Sequence, residues 1–170
     1  MAAAKHALPR ATLRGIVTDV FVSVAQAKEE AIAGFLERGP GHLNCAQAVV
    51  HFALRSLGRD PRLALAAHYM GGGMARMGNT CGALSGAVLA LGLRDLTAPE
   101  EEPHDTAEVT LWLQALIRDF DQEFFAVGCL ELTGHDLSTR EGYRAFAKSD
   151  AQPRCAHYVA WAIDRLSDIL

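Results

Sequence analysis

Four cysteines, Cys45, Cys81, Cys129 and Cys155, are the residues of this sequence best suited to chemistry. They stand 36, 48 and 26 residues apart, so no CxxC pair occurs. The sharpest context is Gly78-Asn79-Thr80-Cys81-Gly82-Ala83-Leu84-Ser85-Gly86. Local pattern puts Cys45, Cys81 and Cys155 in the first turn of a helix and Cys129 at the start of a single helical turn. The thiolate is the form that attacks or ligates, and a helix N-terminus favours an anion by about 0.3–1 kcal/mol, up to ~2 when partly buried. One pKa unit corresponds to about 1.4 kcal/mol. The dipole therefore makes these thiols more acidic than usual by around one unit at most, and several helix starts converging on one spot would do more.

Spacing narrows the chemistry. Structural zinc sites take paired ligands two to four residues apart, which none of these gaps supplies. A thioredoxin dithiol needs CxxC. Cys155 and His157 are two residues apart, on different faces of a helix. Three readings remain. The thiols converge on an iron–sulfur cluster or another metal. They work as metal-free redox dithiols, with Cys45 and Cys81 the favoured pair because both neighbour a glycine loop. Or they are core residues of a helical interaction module. If metal-free, all four serve as redox thiols; if ligated, all four serve as metal ligands. Gly72 and Gly73 in the loop Met70-Gly71-Gly72-Gly73-Met74, with Gly82 beside Cys81, are the backbone that would admit a cofactor. That loop fits neither phosphate-loop nor dinucleotide fingerprints. His42, His51, His68, His135 and His157 lie in or near the same elements; His51 and His68 are the first to check as further ligands. Met70, Met74 and Met77 read as core filling.

The elements that must position these thiols read as helical almost throughout. The expected fold is all-α, a compact bundle of five to six helices with a glycine-rich loop before a central small-residue helix. A first helix is predicted over 13–37, stopped by Gly39-Pro40-Gly41. Asn44 caps a second, 45–57, ended by Gly58. Asp60-Pro61 opens a short third. Thr80 is the expected cap of the fourth, 81–93, whose Gly82, Ser85, Gly86 and Ala90 make a small-residue face. A polar linker over 94–105 holds Glu100-Glu101-Glu102. Val109, Leu113, Leu116, Phe120, Phe124 and Val127 fall at helical spacing. Residues 135–152 read as loop, and Pro153 opens the last helix.

Composition excludes several classes. The 170 residues are half hydrophobic, which argues against a disordered chain. Net charge is −4 with no basic run, so no nucleic-acid partner is expected. No apolar stretch is long enough to span a membrane. Residues 16–27 have the outline of a secretory signal, but Asp19 interrupts the apolar middle, and a cytoplasmic location is preferred. The domain reading is an N-terminal extension over 1–27 and one four-cysteine helical domain over 28–170. An unidentified redox partner and a homodimer through the small-residue faces complete the expectations.

Several runs then carry a resemblance. These are Asn44-Cys45-Ala46-Gln47-Ala48-Val49, Gly71-Gly72-Gly73-Met74, Thr80-Cys81-Gly82-Ala83 with Gly86, Cys129 with Leu132, Gly134 and Asp136, and Cys155 with Tyr158-Val159. Together, over about residues 28–165, they resemble the C_GCAxxG_C_C family of four-cysteine proteins called redox-active. The resemblance implies a fold like the iron–sulfur portion of split-Soret cytochromes, where cysteines hold a cluster. It transfers only Cys45, Cys81, Cys129 and Cys155 as functional, and it implies no substrate. The chain has no CxxCH, so haem attachment does not carry over.

Overall fold

The computed structural model describes residues 22–97 and 105–170. These form an all-α fold of eight helical segments, with no strand among the described residues. In order they are α1 (Val24–Leu36), α2 (Cys45–Ser56), a 3-10 helix (Pro61–Met70), α3 (Gly82–Thr97), α4 (Thr106–Phe124), α5 (Cys129–Thr133), α6 (Arg140–Lys148) and α7 (Ala151–Leu166). The expected five to six helices thus become eight, because α5 is a single short turn and α6 occupies residues that the sequence reads as loop.

Helices α2 and α3 form the middle. Eight residues of α2 are buried, including Val49, Phe52 and Leu54, and it packs against α1, the 3-10 helix, α3 and α7. Small residues make the α2–α3 crossing close: a Cβ on Gly86 would sit 2.8 Å from the Ala46 carbonyl oxygen. Each fully buried Phe, Leu or Ile here contributes about 1.5–3 kcal/mol by leaving water. Helix α4 joins α7 through edge-to-face rings, with Phe120 and Trp161 5.4 Å apart and Phe124 and Tyr158 4.8 Å apart.

Four expectations need correction. Residues 140–148 are helical: Thr139 caps α6 by accepting the Gly142 N–H at 3.0 Å. None of the α6 residues is buried and the helix is polar on average, so its apolar signal is confined to one narrow face. Helix α3 runs on to Thr97, and Arg94 is a 4 % exposed member of it rather than part of a solvated linker. Its guanidinium donates to the Ile169 carbonyl at 2.7 Å and pairs with Asp95. Met74 and Met77 are 48 and 63 % exposed rather than core, because their loop turns outward; Met70 alone packs against buried residues. Finally, α3 is capped by Cys81, whose carbonyl accepts the Ser85 N–H at 3.1 Å, and Thr80 instead bridges to Gly128. The 13–21 part of the predicted first helix, the first half of the signal-like segment (16–21) and the Glu100–Glu102 run lie outside the described residues.

Candidate functional site

Asn44 builds the first thiol position. Its side-chain oxygen accepts the Ala46 and Gln47 N–H groups at 3.0 Å each, and Gln47 Oε1 accepts the Asn44 N–H at 3.1 Å. This reciprocal box starts α2 with Cys45 as its first residue. The Asn44 amide also donates to the His68 carbonyl at 2.8 Å, tying the 3-10 helix to the same spot. Gly82 lies directly against Cys45: a Cβ there would collide with the Cys45 sulfur.

Cys81 and Cys129 are brought together by backbone pairing. The Cys81 N–H donates to the Val127 carbonyl at 2.7 Å, and the Cys129 N–H to the Asn79 carbonyl at 2.6 Å. The Leu130 N–H donates to the Gly78 carbonyl at 3.0 Å, so 78–81 and 127–130 run side by side. Cys129 opens α5 behind Gly128. Cys155 is the fifth residue of α7, a turn further in than the sequence reading placed it, because the helix starts at Ala151 ahead of Pro153.

The four thiols lie near enough to act on one another's charge, and burial dominates their acidity. Cys81 and Cys129 are 5 and 6 % exposed, while Cys45 and Cys155 are partly open to a cavity. Burial pushes Cys81 well up, with Cys45, Cys155 and Cys129 adding repulsion. It pushes Cys129 to about 11, helped by Cys45. It pushes Cys155 to about 12, helped by Cys45 and Cys129. All six pairs of thiols are therefore within electrostatic range. Cys45 is also raised by burial, but the backbone N–H groups of Gly72, Ala46, Cys45 and Gly82 point at its sulfur and oppose the rise. The expected acidification by helix starts is overturned: a dipole worth about 1 kcal/mol loses to desolvation and mutual repulsion.

The glycine loop is built in a rare conformation. Gly72, Gly73, Met74, Ala75 and Arg76 have φ of 67, 70, 58, 50 and 65°, five left-handed residues in a row. Gly72 lines the cavity and donates toward Cys45. Gly73 is buried against Asn79, whose backbone N would lie 2.5 Å from an added Cβ. Beside the thiols lies a cavity of about 450 Å³ that Cys45, Cys129 and Cys155 line; Cys81, buried at the head of α3, is not part of its wall. His42 and His68 also line it. His51 does not: its Nε2 is 3.8 Å from Glu30, which Arg55 holds at 2.7 Å, on the α1–α2 face. Tyr143 and Phe146 of α6 also line it, and the sequence does not single them out because residues 135–152 read as loop.

Among the described residues, no group of three or more His, Cys, Asp and Glu is arranged to hold a metal ion. The thiols share a region without meeting at a single ion's distance. No helix among the described residues is long and apolar enough to cross a membrane.

An all-helical scaffold that gathers four neutral thiols from four elements defines a class of cysteine-centred proteins. Residues 43–169 match the family described as "Putative redox-active protein (C_GCAxxG_C_C)", and the chain belongs to that family. No curated protein and no solved structure matches the chain.

Proposed function

We propose that Cys45, Cys81, Cys129 and Cys155 act as one redox unit by ligating an iron–sulfur cluster, for electron transfer or sensing. The observation that carries this is that all four thiols lie within electrostatic range of one another, Cys81 and Cys129 buried and Cys45 and Cys155 opening on one cavity, with four backbone N–H groups aimed at Cys45. Thiols so crowded cannot ionise together without positive charge among them. An iron–sulfur core is larger than one ion, so its thiolate ligands need not meet at a point. When bound it supplies cationic charge and a one-electron couple, tuned by hydrogen bonds to the sulfurs and by burial. The chain contributes the ligands, the amide donors of Gly72 and Gly82, and a surround that buries Cys81 and Cys129 while Cys45 and Cys155 open on the cavity. Cysteines held free fit a reducing compartment, the cytoplasm. Anaerobic purification with absorbance, iron and sulfide analysis tests the proposal. Iron and acid-labile sulfide are expected, and both are lost in Cys81→Ser and Cys129→Ser. A colourless, iron-free protein with four free thiols would sink it.

A metal-free dithiol is the second reading, favoured by the seat of the Cys45 sulfur directly on Gly82, next to Cys81. Thiol counting before and after mild oxidant decides it: two thiols lost in the native chain and none in Cys45→Ser is its signature.

A further inference from the structure

We propose that the cavity beside the thiols, with the groove that continues it, is a binding site for a small, flat, apolar molecule carrying an anionic group. At about 450 Å³ the cavity falls in the range of small-molecule sites, roughly 300–1,000 Å³. Phe35, Tyr69, Tyr143 and Phe146 wall it, and aromatic faces suit a flat apolar body. At its mouth a second hollow shares Ala75, Arg76, Leu137 and Tyr143 with the cavity and adds Arg140 and Arg144.

Charge decides what the apolar body carries. The chain has 20 acidic and 16 basic residues, yet no described residue lining either hollow is Asp or Glu. Among the described residues none of the three arginines has a carboxylate partner. Arg140 and Arg144 lie one turn apart on α6, a like-charge pair that a bound anion would relieve. Arg76 is held 4.5 Å from the Tyr143 ring centre by the left-handed run that ends on it. Left-handed backbone at non-glycine residues costs about 1–3 kcal/mol each and persists where the surroundings enforce it, often at ligand clamps. A guanidinium fork at the mouth matches a carboxylate, sulfonate or phosphate.

The proposal concerns binding alone and stands apart from the cluster reading. It is tested with two dyes that share an aromatic body, anilinonaphthalene sulfonate and neutral phenylnaphthylamine, by fluorescence titration of the full chain, as purified and after reduction. The sulfonate dye is expected to bind about tenfold tighter, the size of one good charged contact. Arg76→Met should erase most of that difference and leave the neutral dye unchanged. The double change Arg140→Met and Arg144→Met, on the exposed face of α6, should do the same with an unaltered circular dichroism spectrum, so the test survives misfolding of the loop variant. Phe146→Ala should weaken both dyes. Equal binding of the two dyes, or an unchanged difference in the arginine double variant, overturns the proposal whatever the thiols are found to hold.

Discussion

Each thiol here is a weaker acid than free cysteine, and the sign of that shift makes a prediction. The folded-state pKa is about 11 for Cys129 and about 12 for Cys155, against an ordinary 9.0. A raised thiol pKa means the folded chain keeps protons that the unfolded chain has already released. The stability this supplies is complete below about pH 9 and is lost as pH rises through about 11 to 12. The reduced, metal-free protein should therefore show a steady urea midpoint at pH 7–8.5 that falls as pH rises through about 9 to 11. Cys155→Ser should flatten that fall. A midpoint that does not move would mean that the thiols are already ionised or bound. At this scale the four cysteine positions were legible in sequence, and so was the contact of Gly82 with the site. Their acidity was not, because helix position is local whereas burial and thiol–thiol repulsion depend on four elements 26 to 48 residues apart.

The elements differ in how much of their start is written locally. Asn44 and Gln47 are three residues apart and complete their cap within one turn, so the start of α2 is readable from sequence. Thr139 caps α6 just as locally, but the helix has no buried residue to announce it, and its amphipathic face carries only Tyr143 and Phe146 to the cavity. The pairing of 78–81 with 127–130 is hidden for another reason: its hydrogen bonds join segments almost 50 residues apart. Asn44 is the best single test of how an element positions a thiol. Asn44→Ala removes acceptors for two N–H groups and the donor to His68. A lost cap costs about 0.5–2 kcal/mol, and the severed link to the 3-10 helix puts this change at the upper end. Denaturant unfolding should show that loss, and the alkylation rate of Cys45 should rise while that of Cys129 stays the same. Equal acceleration at both thiols would mean that the whole molecule has loosened instead.

Across the whole molecule, the cysteines come from α2, the head of α3, α5 and α7, and only the fold brings them to one place. Any group bound by all four ties these elements together, and the unfolded chain cannot reproduce its ligand set. Binding to the folded state alone stabilises by about 2.7 kcal/mol at a hundredfold excess over Kd. For a chain of this size that is roughly 5–10 °C in Tm. Protein reconstituted anaerobically with iron and sulfide should therefore melt about 5–10 °C above the metal-free form. Serine at any one of the four positions should bring the reconstituted protein down to the metal-free Tm. The local pattern of protection is a sharper check. Helix α4 carries no cysteine and joins α7 through the Phe120, Phe124 and Trp161 rings, so its amide exchange should change least on loading. The amides of 78–82 and 127–130, which hold Cys81 and Cys129 side by side, should slow most. Slowing spread evenly over α4 and the thiol-bearing segments would place the bound iron somewhere other than the four cysteines.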